Sequence, residues 1–248
     1  MKKISILIIL SLVICFGCSP KAQVFEDFSK VNIVWDDYEK ATYDLFVDGV
    51  KTAGYEVLIE QNIDDDTLVY KVESTITSKD GVGIQGAVVN RFMEPKNSYY
   101  KQTIRGGNIT RSAEIYGVYE HGNLSVDRII GEKYESQSVE LPENSIDNEY
   151  SLMLARNLPL TKGYSTSLNI AVIATAQVSP YKISVEGIEK IKVPYGEVEC
   201  YKVVWKYRGI GRVPNIYSWY STGSDKKMIK YVNQNLELTL TEFSTSKN

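Results

Sequence analysis

Apolar and polar residues alternate one by one through most of this 248-residue chain, and a two-residue period confines it to β-structure. Leu68, Tyr70, Val72 and Ile76 share one face of a run whose other face carries Val69, Lys71, Glu73 and Thr75. Near the end, Leu236, Leu238 and Leu240 alternate with Glu237, Thr239 and Thr241. The same pattern predicts strands over 42–47, 54–61, 68–76, 86–93, 98–105, 110–119, 124–131 and 134–141, then over 164–176, 181–191, 197–208, 215–220, 228–232 and 236–243. Turn residues punctuate them: Asp48-Gly49, Lys79-Asp80-Gly81, Gly106-Gly107-Asn108, His121-Gly122-Asn123 and Gly223-Ser224-Asp225. Short strands at such regular spacing make a mainly β fold. The expected architecture is a large curved antiparallel sheet (half-barrel, barrel or sandwich-like) with one or two short helices.

The period changes once. From Asp147 to Asn157, the residues Tyr150, Met153, Leu154 and Leu158 follow helical spacing. Asp147 is a natural N-cap, Glu149 places an acid in the first turn, and Pro159 and Gly163 end the segment. A short amphipathic helix in a β protein is expected to plug an open side of the sheet. Asp36–Lys40 is a candidate second short helix.

The first residues carry a different signal. Met1-Lys2-Lys3 is basic, and Ile4–Phe16 is an apolar stretch of signal-peptide length, too short to span a bilayer. It ends in Cys15-Phe16-Gly17-Cys18, which resembles the lipobox of bacterial lipoproteins, with Cys15 where Leu is usual. The resemblance implies cleavage between Gly17 and Cys18 and a diacylglyceryl group on Cys18. The organisation then reads as a signal peptide over 1–17, a lipidated cysteine and polar tether over 18–30, and a single β-rich domain over 31–248. The acyl chains hold the protein on a membrane without a transmembrane helix. In lipoproteins of this kind Ser19, rather than Asp, fits an outer membrane facing the periplasm in a Gram-negative cell.

Composition narrows the partners. The formal net charge of −3 becomes two units more negative once Lys2 and Lys3 leave. An acidic chain is unsuited to nucleic acid, which calls for a basic stripe. Cys200 is then the remaining thiol, so no intramolecular disulfide is expected, and its place in an alternating strand marks it as a small core residue.

Candidate chemistry is sparse. His121 is the only histidine and sits in a turn signal, so ordinary zinc and copper sites are not available. Asp64-Asp65-Asp66 lacks the rest of a calcium loop and reads as a turn. Gly81-Val82-Gly83-Ile84-Gln85-Gly86 spells a dinucleotide fingerprint, but a strand follows it where a helix is required. Glu186, Glu189, Glu197 and Glu199 are close enough in sequence to consider as a glycosidase pair, although solvated strand glutamates are the ordinary explanation. The arginines are scattered. No catalytic residue, metal or cofactor is expected. Tyr is abundant, with 18 copies, and Trp205, Tyr207, Trp219 and Tyr220 are candidates for binding a ligand.

From Tyr150 onward, Leu158-Pro159-Leu160, Val185-Glu186-Gly187-Ile188-Glu189-Lys190, Val193–Val203, Trp219-Tyr220-Ser221 and the closing Leu-Glu-Leu-Thr-Leu strand form an ordered set. This set resembles a large family of exported bacterial β proteins known only as a domain of unknown function. The resemblance implies a curved antiparallel sheet and no catalytic residues. The expected function is that of a non-enzymatic envelope lipoprotein binding an apolar or amphiphilic ligand. An adaptor for an envelope protein partner and a glycan hydrolase are the alternatives.

Overall fold

A computed structural model describes residues 31–106 and 109–246. The signal peptide, Gly17, Cys18 and the tether lie outside the described residues. Fifteen strands form one sheet: β1 Tyr38–Val47, β2 Val50–Asp64, β3 Thr67–Ser78, β4 Gly81–Asn90, β5 Pro95–Gly106, β6 Ile109–Glu120, β7 Asn123–Ile130, β8 Lys133–Glu140, β9 Ser145–Asp147, β10 Ser165–Val172, β11 Gln177–Val193, β12 Gly196–Tyr207, β13 Ile216–Ser221, β14 Met228–Asn233 and β15 Leu236–Thr245. Their spatial order is β8-β7-β6-β5-β4-β3-β2-β1-β15-β14-β13-β12-β11-β10-β9. Two meanders are thus joined where β1 pairs β15, and every ladder is antiparallel except the short parallel pair β9–β10. The mainly β, curved antiparallel expectation is met.

The sheet is not closed by hydrogen bonds, since β8 and β9 are its two edges. It nevertheless curls until β6 and β7 lie against β10. Ile115, Leu124 and Val126 pack there with Ala171, Ile173 and Ala176, and the Arg128 guanidinium donates to the Ile173 carbonyl at 3.3 Å. Gly117 permits the approach, because a Cβ at that position would stand 2.6 Å from Ile173 Cγ2 and 2.8 Å from Ser98 Oγ.

The predicted helix forms as α1, Asn148–Leu154, continued by a 3-10 turn over Ala155–Asn157. Asp147 caps it through a 2.6 Å bond from the Glu149 amide. It lies inside the curl against β3, β4, β9 and β10. Tyr150, Met153, Leu154 and Leu158 fill the main core with Tyr43, Leu45, Val72, Val89 and Ile183. The expected plug is therefore present.

The second predicted helix is absent, because Tyr38–Lys40 opens β1 and 31–36 has no regular structure. The reason is tertiary. Glu39 Oε1 accepts from the Asp36 amide at 2.9 Å, which looks like a helical cap in sequence, but the carboxylate is 2 % exposed and paired with Arg156. Arg156 Nη1 reaches Glu39 Oε2 at 2.5 Å, Nη2 reaches Oε1 at 3.2 Å, and Nη2 also donates to the Asp225 carbonyl at 2.8 Å. This clamp ties the end of the helical segment to β1 and to the β13–β14 turn. Trp35 Nε1 donates to the Met153 carbonyl at 3.2 Å and the Val34 amide to Asn157 Oδ1 at 2.8 Å, which fastens the entering chain across the same end.

Candidate functional site

The beginning of α1 is built from acids. Asp147 is fully buried and Glu149 is 9 % exposed, and among the described residues neither has a lysine, arginine or histidine as ion-pair partner. Tyr119 of β6 donates its hydroxyl to Asp147 Oδ2 in a short hydrogen bond. Glu149 Oε1 has only a 3.4 Å contact from Asn148 Nδ2, and its Oε2 has no partner. Burial pushes both carboxyls above the ordinary carboxylate range; for Glu149 the neighbouring Asp147 charge adds to the effect. Burial and the Asp147 carboxylate together hold the Tyr119 hydroxyl well above the usual phenol range.

A cavity of about 40 Å³ opens beside Glu149, between α1 and the sheet. Tyr55, Ser74, Gln85, Ser151, Tyr181 and Tyr231 line it together with Ile170, Trp205 and Ile216. Tyr55 donates to Ser74 Oγ at 2.9 Å, but the buried Tyr181 hydroxyl has no partner. The volume suits one to three waters or a molecule of that size, and is far below that of a lipid chain.

A second, larger space of about 460 Å³ lies at one end of the curl. The β4–β5 turn, the β6–β7 turn and the link from β8 to β9 frame it. Its apolar surface comes from Phe92, Met93, Pro95, Leu141, Pro142 and Ile146. Its polar rim holds Glu94, Glu120, His121 and Glu143. Tyr119 lines this outer groove and bonds Asp147, so one tyrosine joins the groove to the acid pair.

The four aromatic candidates divide. Trp205 faces inward, lines the cavity and donates Nε1 to Ser218 Oγ at 2.8 Å. Tyr220 also faces inward, but its hydroxyl donates to the Leu152 carbonyl at 3.0 Å and it takes no part in the cavity wall. Tyr207 stands edge-on to Tyr181, with ring centroids 5.7 Å apart, and meets the cavity only through it. Trp219 lies on the opposite face, where it donates to Glu189 Oε1 at 2.6 Å beneath Lys202 and Lys230. The structure therefore does not gather these four residues into one site.

The glutamates considered as an acid pair do not converge either. Glu189 holds Trp219, Glu186 faces Lys202 at 3.7 Å, Glu197 faces Lys190 at 3.6 Å, and Glu199 Oε2 accepts from Thr222 at 3.3 Å. His121 is exposed in the β6–β7 turn with φ of 50°, and Asp65 and Asp66 make the β2–β3 turn with positive φ. Cys200 is buried and free, and burial raises its thiol to about 12, which leaves it unreactive. The acids that do approach each other, Asp147 and Glu149, stand in the sequence simply as a helix cap and a first-turn acid. Only the closing of β6 over β9 makes them a buried pair.

Comparison with known proteins adds the following. A family described as protein of unknown function, DUF3108, matches residues 41–238. No curated protein matches the chain. A β-barrel-like protein of the unknown-function domain DUF1849 from Brucella abortus is similar in fold, with TM-score 0.52 and 12 % identity over 86 % of this chain and 99 % of that one. A Bacteroides fragilis protein described as exported, with a YmcC-like fold, aligns with TM-score 0.37 and 8 % identity over 85 % of this chain and 97 % of that one. No enzyme family is among these matches, and no helix among the described residues is long and apolar enough to cross a membrane.

Proposed function

We propose that this chain, which belongs to the DUF3108 family of proteins of unknown function, is an exported, lipid-anchored and non-enzymatic binding protein of the cell envelope. Its ligand is an amphiphile with an apolar body and a cationic head. The outer groove carries this reading: about 460 Å³ falls within the ordinary range of small-molecule sites, and an apolar floor lies under a rim of three carboxylates. The inner cavity, at about 40 Å³, excludes an acyl chain, so an apolar ligand has its place outside α1 rather than beneath the sheet. The anchor rests on Cys18 and the preceding leader.

Titration with a fluorescent alkylammonium and with an alkyl sulfate of equal chain length tests the reading. The alkylammonium is expected to bind at least tenfold more tightly, and the double substitution Glu120→Lys/Glu143→Lys to abolish that preference. Equal binding of both probes, or a preference that survives the reversal, would rule the groove out. Cys18→Ser should move the protein from membranes to the soluble fraction.

One observation favours a second reading, an adaptor for a protein partner. β8 leaves an eight-residue sheet edge whose residues are exposed apart from Val139, with Tyr134 64 % accessible. An extended peptide could add to it as a further strand. Crosslinking that places a partner on β8 would support this reading, and a partner placed elsewhere would refute it.

A further inference from the structure

We propose that the inner cavity is a binding site for a small ammonium-type cation, of the size of methylammonium. The site is independent of the outer groove. Two observations point to it separately. The first is the buried Glu149, a residue of the cavity wall whose carboxylate carries an oxygen without a partner and has no cationic side chain paired with it among the described residues. The second is Tyr181, a residue of the same wall that is 1 % exposed and whose buried hydroxyl is also without a partner. Buried polar groups are almost always satisfied, so two orphans on one cavity mark the place of something absent from the protein itself.

The chemistry of the wall selects the occupant. Tyr55, Tyr181, Trp205 and Tyr231 surround the space with aromatic rings, whose faces attract a cation. Glu149 supplies the balancing charge, and the Tyr181 oxygen can accept an N–H. A primary ammonium donates up to three hydrogen bonds and leaves one methyl for Ile170 and Ile216. An anion would face the carboxylate directly. A divalent ion would find one carboxylate at the wall where it calls for several oxygen ligands in a fixed geometry. The volume of about 40 Å³ excludes quaternary ammonium ions with larger alkyl groups.

Thermal unfolding of the full mature chain is the test, at about pH 9 so that Glu149 is ionised, with methylammonium chloride compared against tetraethylammonium chloride at equal ionic strength. Trp205 fluorescence provides a second readout of occupancy. Methylammonium at about ten times its dissociation constant should raise Tm by roughly 3–6 °C in a saturable way, while tetraethylammonium leaves it unchanged. Glu149→Gln should remove the response while leaving the fold intact, since it replaces an uncompensated buried charge with an amide. Tyr181→Phe should weaken the response several-fold. Equal Tm in both salts, or an unaltered response in Glu149→Gln, would overturn the site and leave the cavity as a place for water.

Discussion

The helical segment inside the sheet has a buried cluster of ionisable groups at each end, and the two are built in opposite ways. At the far end, Arg156 and Glu39 form a two-pronged ion pair, and further N–H groups on Nε and Nη2 go to the Asp225 and Lys226 carbonyls. At the near end, Asp147 and Glu149 place two acids together without a cationic side chain paired to either among the described residues, and one carboxylate oxygen is left over. A satisfied cluster specifies how three chain segments meet. An unsatisfied one destabilises the fold and persists where something else depends on it. The difference assigns structure to the Arg156 end and binding to the Glu149 end.

Removing one partner of the clamp has the largest expected effect. Arg156→Ala strands Glu39 as a lone buried charge and should cost about 3–5 kcal/mol in urea unfolding. The double variant Arg156→Met/Glu39→Leu should recover part of this loss. If the double is as damaged as the single, the charge pairing is not what holds that end.

The near end depends on close approach rather than charge pairing. Gly117→Ala should cost about 1–3 kcal/mol, because the added methyl meets Ile173 and Ser98. A neutral outcome would mean that β6 does not press against Ile173, and that the acids are less enclosed than described.

The third comparison is in pH. Both near-end carboxyls are harder to ionise in the folded than in the unfolded protein, so the folded state holds extra protons above the ordinary carboxylate range. Stability therefore falls as pH rises from about 4.5 into the mildly alkaline range, and levels off once both groups are ionised. Glu149→Gln should be more stable than wild type by about 1–2 kcal/mol at pH 9 and nearly equal to it at pH 4.

The smallest effects come from two buried tyrosines. Tyr150→Phe loses a 2.6 Å bond to the Met93 carbonyl and should cost about 1 kcal/mol. Tyr181→Phe removes a hydroxyl with no protein partner and should change stability by less than about 0.5 kcal/mol. Equal losses would show that Tyr181 has a partner after all.

Much of the fold was legible because alternation and turn residues are local properties. All fourteen predicted strands appear, and Asp147 caps α1 as its position suggests. β9 was not legible, since three residues in a parallel pair have no period of their own. Asp36–Lys40 was not readable locally, because Glu39 serves Arg156 across 117 residues and its segment opens β1. The site was hardest to read. Val203 and Val204 are both buried, so apolarity on both faces of β12 gave no sign that Trp205 turns inward while Trp219 turns outward. Helix logic fully accounts for Asp147 and Glu149 locally, and their burial follows only from the curl that carries Tyr119 onto Asp147.

Carboxyl-carbon NMR titration of Glu149, assigned through Glu149→Gln, tests the contrast between the two ends most directly. The account predicts that Glu149 keeps its proton well above the range of the surface glutamates and that its titration is coupled to that of Asp147. A single step for Glu149 in the ordinary glutamate range, with Asp147 titrating independently, would contradict it.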